Sequence, residues 1–161
     1  LVGKERVEGL SQGDKFRLGV FEFTCVWPVA FQDEGGNGDS LCFTVDADID
    51  GDGNREWRSL LVGDAEHEEV SQMLSAGLID GVDVYKVGHH GSKNALTQDQ
   101  AAALSPQVSL CSVGARNRYG HPAASTVESL ERAGSAVMRT DEHGDVACRF
   151  AKDHISVEAL R

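Results

Sequence analysis

One stretch limits what this chain can fold into more than any other. A strand-like run stops at a glycine, offers two histidines, and closes on a second glycine and a serine: Val84-Tyr85-Lys86-Val87-Gly88-His89-His90-Gly91-Ser92. β-Branched and aromatic residues favour extended backbone. Imidazoles and a hydroxyl directly behind them put polar chemistry at the mouth of a strand, where α/β proteins place their sites. Leu60-Leu61-Val62-Gly63-Asp64 upstream and Ser112-Val113-Gly114-Ala115-Arg116-Asn117-Arg118-Tyr119-Gly120-His121-Pro122 downstream have the same form. In each, an apolar approach and a glycine precede a potential metal or phosphate ligand.

The rest of the pattern predicts a mixed sheet with about three helices. Residues 15–18 and 20–27 alternate as strands after a turn at Gly13-Asp14, and Pro28 ends the second. Residues 32–39 read as a mobile loop of Gly, Asn and Asp. Residues 40–46 and 56–62 read as a hairpin with its tip at 48–54. Over 65–78, Val70, Met73, Leu74 and Leu78 recur at helical spacing with Asp64 at the N-cap position. Thr97 to Gln100 and Ser125 to Glu128 match capping boxes for two further helices, the first closed by Ser105-Pro106 and the second by Gly134. Residues 108–113, 136–139, 146–150 and 155–158 complete the strands.

With 161 residues, the chain suits one domain with a sizeable core. It contains no apolar run near the ~20 residues that a spanning helix needs. Its formal charge of −11 argues against broad electrostatic capture of nucleic acid. A polyanion would be held by metal and by local groups such as Lys86, Lys93, Arg116 and Arg118. The four cysteines, at 25, 42, 111 and 148, lack C-x-x-C spacing; two on adjacent strands could pair, but the apolar strand contexts of Cys25, Cys42 and Cys111 favour buried free thiols. The start Leu1-Val2-Gly3-Lys4 has neither an initiator methionine nor a signal pattern, so a segment of something longer is expected.

A carboxylate at one strand end and imidazoles at two later ones form a candidate divalent-metal shell, since such donors suit zinc or manganese. The spacing alone also fits a bland reading, with Asp64 capping a helix, one histidine buried beside one exposed, and His121 in a turn. Asp48-x-Asp50-x-Asp52-Gly53 matches the start of a calcium loop, but its twelfth position is Ser59 rather than glutamate. A solvated acidic hairpin tip is the preferred reading there. Trp27, Trp57, Tyr85 and the phenylalanines read as core or sheet-face residues, and His67, His143 and His154 as surface or turn residues.

Taken together and in order, Leu-Leu-Val-Gly-Asp, Lys-Val-Gly-His-His-Gly-Ser, Ser-Val-Gly with Asn117 and Tyr-Gly-His-Pro, then Arg139-Thr140-Asp141 with Gly144, resemble a known family. They are similar to the C-terminal half of the metallo-β-lactamase-like domain of ComEC, the bacterial DNA-uptake competence proteins. The resemblance implies part of an αβ/βα sandwich in which Asp64 bridges two metals and one of His89 and His90 is a ligand. His90 is favoured because Gly91 permits close backbone approach. Ser92, Asn117 and His121 would form an outer ring that orients ligands or steadies a phosphate.

The resemblance also implies metal-dependent DNA hydrolysis on the extracytoplasmic face of a cytoplasmic-membrane protein. The partners would be DNA, the rest of the same domain and the membrane channel. The family's His-x-His-x-Asp-His motif has no counterpart in residues 1–57. An incomplete domain, inactive by itself, is therefore expected. Half a sandwich leaves a sheet face open, which predicts self-association or rearranged helix packing. The alternatives are a non-catalytic assembly or DNA-contacting module and a calcium-stabilised extracellular domain.

Overall fold

The computed structural model describes residues 9–30 and 36–160. The N-terminal reading and much of the 32–39 loop fall outside them. Strands β1 (Lys15–Leu18), β2 (Phe21–Trp27), β3 (Cys42–Ala47) and β4 (Trp57–Leu61) form an antiparallel meander. It continues as parallel strands β5 (Val84–Lys86), β6 (Val108–Cys111) and β7 (Ala136–Arg139), giving one seven-stranded mixed sheet in sequence order.

Each parallel step is bridged by a helix: α1 (His67–Ser75), α2 (Gln98–Leu104) and α3 (Ala124–Arg132). Parallel neighbours need such crossovers. α1 packs on α2 and α2 on α3, so the three helices share one face of the sheet. Between helices and sheet lies the core, with Leu60, Tyr85, Cys42 and Cys111 from the strands meeting Val70, Met73, Leu104 and Leu130 from the helices. The expected strands and helices are thus present, together with a one-turn helix α4 (Thr140–His143). The four cysteines are free.

The opposite face is more open. The register aligns Phe16 with Phe23, and Phe43 with Leu61, on that face. Phe16 stacks on Phe23 at 4.7 Å, yet it remains 38% exposed, and Leu18 61%. A separate hairpin, β8 (Asp145–Phe150) with β9 (Ile155–Leu160), covers part of this face through Phe150 against Phe21 and through Trp57 Nε1 donating to the Ala151 carbonyl. One helix layer on one sheet, with a small second sheet behind it, is consistent with an αβ/βα sandwich. Among the described residues no helix is long and apolar enough to cross a membrane.

Two helix starts differ from expectation. Glu66, not Asp64, holds the N-cap position of α1, and its N–H donates to Glu69 Oε2 at 2.8 Å. α3 begins at Ala124 with Ala123 at the N-cap, so Ser125 lies inside it. There Thr126 has a different partner, donating its hydroxyl to the Ser92 carbonyl at 2.7 Å. Both shifts free or recruit side chains for the strand ends.

Candidate functional site

β4, β5 and β6 run parallel, so their C-terminal ends open on the same edge of the sheet. That is where the three glycine-marked stretches converge. Close backbone approach explains the glycines. A Cβ on Gly88 would lie 2.4 Å from the Ala65 carbonyl oxygen, and one on Gly91 would lie 2.6 Å from Pro122 Cβ. Gly91 also has φ +81°, the left-handed region that glycine enters freely.

Between them His89 and His90 hold φ of 42° and 54°. Left-handed backbone at a non-glycine residue costs roughly 1–2 kcal/mol. The surrounding hydrogen bonds offset it: His89 N–H donates to the Gly63 carbonyl at 3.1 Å and Ala123 N–H to the Gly91 carbonyl at 2.8 Å. The turn is thereby fastened to both neighbouring strand ends.

Hydrogen bonding fixes what each ring presents. His90 Nδ1 lies 2.7 Å from the Ser112 carbonyl oxygen, which can only accept, so Nδ1 carries a proton. Nε2 is left facing outward, 3.8 Å from Asp64 Oδ1. Asp64 donates its N–H to Ser40 Oγ at 3.2 Å, which anchors its backbone while the carboxylate stays half-exposed.

His89 Nδ1 lies 2.8 Å from Glu66 Oε1 and 3.3 Å from Asn37 Nδ2. The shorter contact, to a carboxylate, sets its Nδ1 as a donor. Glu66 also accepts from Ser92 Oγ at 3.0 Å and Asn94 Nδ2 at 3.5 Å. Burial works to raise the Glu66 carboxyl, but the bonds from His89, Ser92 and Asn94 outweigh it and hold the group below the usual range.

The third imidazole completes a cluster. The His121 ring lies 5.7 Å from that of His89 and stacks on Tyr119 at 5.9 Å. Burial, then the His89 and His90 rings, push its pKa down from the usual imidazole value. Asn117 clamps this loop: Nδ2 donates to the His121 carbonyl at 2.8 Å and to that of Gly114 at 3.0 Å, and Oδ1 accepts the His121 N–H at 3.0 Å. The loop divides two clefts. One of about 430 Å³ is lined by His90, Ser112, Asn117 and Thr140; the other, about 500 Å³, by Glu66, His89, Ser92 and Lys93; Tyr119 and His121 line both.

The structure therefore gathers Asp64, His89, His90 and His121, and it commits Ser92 and Asn117 to neighbouring protein groups. Glu66, Ser40 and Asn37 are additional members. Residue types at 32–39 read only as a loop, and Glu66-x-x-Glu69 is not the Ser/Thr-led capping signature. As a metal site the strand-end cluster offers two convergent donors, Asp64 Oδ1 and His90 Nε2, of the kind that zinc or manganese takes. His90 has the carbonyl partner behind it that ligating imidazoles generally show.

Among the described residues, only Asp48, Asp50, Asp52 and Glu56 bring three or more such ligand atoms within 4.8 Å of one another. At that hairpin tip Lys152 forms an ion pair with Asp50. Backbone N–H groups of Gly51 and Gly53 donate to Asp48, and that of Asn54 to Asp52.

No family model matches the chain. It is 30% identical over 144 residues to ComE operon protein 3 of Bacillus subtilis, an alignment covering 89% of this chain and 18% of that protein. Recombination protein 2 of Haemophilus influenzae is 34% identical over 102 residues, covering 63% of this chain and 13% of that protein. Its homologues are ComEC-family competence proteins. Competence protein ComA of Neisseria gonorrhoeae adds 28% identity over 78 residues, 48% of this chain and 11% of the relative. The chain spans less than a fifth of the length of these ComEC-family relatives.

Proposed function

We propose that this chain is the C-terminal half of the metallo-β-lactamase-like domain of a ComEC-type competence protein, and that the completed domain hydrolyses DNA phosphodiesters. Asp64 and His90 would hold a divalent metal, zinc or manganese. The observation that carries this reading is the His90 imidazole, fixed at Nδ1 by the Ser112 carbonyl so that Nε2 faces Asp64 Oδ1 at 3.8 Å. A metal bound there supplies Lewis-acid stabilisation and an activated water.

The chain's own residues account for the rest. Glu66 holds His89 so that its Nε2 is the ring atom left to exchange a proton with a phosphate or leaving oxygen. His121 closes the same side of the cluster, and Asn117 sets its position. Two donors fall short of the three protein ligands usual at a catalytic zinc. The remaining ligands would come from the rest of the domain, whose second sheet would cover the open face bearing Phe16 and Leu18. This chain by itself is expected to hydrolyse nothing. Its place would be the extracytoplasmic side of a larger membrane protein that handles DNA.

The test compares this chain with the full-length protein for divalent-metal content and for hydrolysis of bis(p-nitrophenyl) phosphate and of DNA. Activity confined to the full-length protein and lost in Asp64→Ala and His90→Ala, by on the order of 1000-fold, is the expected result. A full-length protein that binds no metal and cuts nothing overturns the enzyme reading and leaves a non-catalytic module.

A further inference from the structure

Tyr119 is the exception among the described aromatic residues. Among the described residues, Trp27 and Tyr85 belong to the core, Trp57 bonds to the turn of the β8–β9 hairpin, and the phenylalanines sit on strands, whereas Tyr119 is 76% exposed on a loop. Leaving such a ring in water forgoes the burial that aromatic side chains otherwise supply. It is nevertheless held in place. The ring stacks on His121 with an interplanar angle of 19°, and the loop beneath it is clamped by Asn117. It stands where the two clefts meet, one carrying His90 and the other His89.

The charges around it are equally distinctive. Lys93, Arg116 and Arg118 form no ion pair with any described residue, whereas every other exposed lysine or arginine among the described residues pairs with a carboxylate. In a chain of formal charge −11, the unneutralised cations thus collect at the loop that carries Tyr119 and at the edge of the adjacent cleft. A pre-oriented ring flanked by available cations is the arrangement by which proteins hold single-stranded nucleic acid: bases stack on the ring and the backbone follows the charge. Bases inside a duplex offer no free face.

Resting on the phosphodiester reading above, we propose that Tyr119 is the platform on which an unpaired base of single-stranded DNA stacks. Lys93, Arg116 and Arg118 attract the adjoining phosphates, so the site selects single strands over duplex.

The experiment measures binding, without metal, of this chain to a labelled oligothymidylate of about 12 nucleotides and to a duplex of the same length, at one fixed salt concentration. Tyr119→Ala is expected to weaken single-strand binding about 5- to 150-fold, and Tyr119→Phe to stay within about twofold of wild type. Duplex binding should change by less than about twofold in either variant. An oligonucleotide with abasic positions should bind wild type as weakly as thymidylate binds Tyr119→Ala. Equal thymidylate binding by wild type and Tyr119→Ala, equal losses on single strand and duplex, or no single-strand binding by wild type each overturn the proposal. Hydrolysis of bis(p-nitrophenyl) phosphate, which carries no nucleobase, reads the phosphodiester reading separately, so either idea can fail alone.

Discussion

The acidic hairpin tip and the histidine cluster at the strand ends are both concentrations of ligand-type side chains, yet they are built in opposite ways. At the tip, four carboxylates crowd together and their neighbours consume them: Lys152 pairs with Asp50, and backbone N–H groups bond Asp48 and Asp52. At the strand ends the protein consumes only the inner ring atoms. The Ser112 carbonyl accepts the Nδ1 hydrogen bond of His90 and the Glu66 carboxylate that of His89, leaving both outer nitrogens without a hydrogen bond. What marks a site is therefore which atoms are already satisfied, and how rigidly, more than how many carboxylates or imidazoles lie close together.

Glycine substitution should widen that contrast most. Gly51 at the tip and Gly91 at the site both have positive φ, 75° and 81°, but a Cβ on Gly51 meets nothing within 4 Å whereas one on Gly91 strikes Pro122. Gly51→Ala is expected to cost only the left-handed backbone, about 1 kcal/mol. Gly91→Ala adds an overlap in a packed turn, for roughly 2–4 kcal/mol in all. Thermal denaturation should then show a drop of about 5–15 °C for Gly91→Ala and only a few degrees for Gly51→Ala. Equal drops would mean that the turn is not pressed against the His121-Pro122 loop.

Removing the carboxylate behind His89 comes next in size. In the full-length protein, Glu66→Ala frees the imidazole to rotate, and losing an outer partner of this kind typically costs 10- to 100-fold in activity or metal affinity. Glu56→Ala at the tip, which also loses a carboxylate bonded to a backbone N–H, Ile49, should leave hydrolysis within about twofold. Activity unchanged in Glu66→Ala would reduce that residue to a helix cap.

How much of this could be read from the sequence depends on the kind of interaction. Strand ends, crossovers and the Gly-His-His-Gly turn were legible because apolar runs and glycines report on local backbone, and the meeting of Asp64, His89, His90 and His121 at one sheet edge follows from them. Glu66 was not, because its importance comes from a contact with His89, 23 positions away. Ser40 and Asn37 were hidden in the same way, the first at the start of an expected strand and the second in a segment whose composition described only a loop. The structure brings Ser92 and Asn117 beside the histidine cluster. Their polar atoms, however, bond to Glu66, Asn94 and the loop backbone, a distinction that residue type cannot express. The helix start at Glu66 was missed because a glutamate leads its capping box.

The smallest effect tests whether Lys152 is what keeps the tip closed. Its hydrogen bond holds the Asp50 carboxyl below the usual 3.8, and Asp50 in turn raises the Lys152 ammonium above its usual 10.5. The Asp50 contribution is therefore full above pH 3.8 and is lost as pH falls through the lowered value, while that of Lys152 is full below 10.5 and is lost as pH rises through the raised one. Lys152→Ala should return Asp50 upward, among three neighbouring carboxylates, which a carbon NMR titration of the carboxyl would read. The pair is exposed, so the melting temperature should hardly move. Wild type at about 1 mM calcium should melt within about 1 °C of the calcium-free protein, because a loop lacking a glutamate at its twelfth position must also displace the ammonium. A calcium shift of several degrees in Lys152→Ala alone would identify the lysine as a built-in substitute for the ion. The same shift in wild type would make the tip a calcium site and erase its contrast with the histidine cluster.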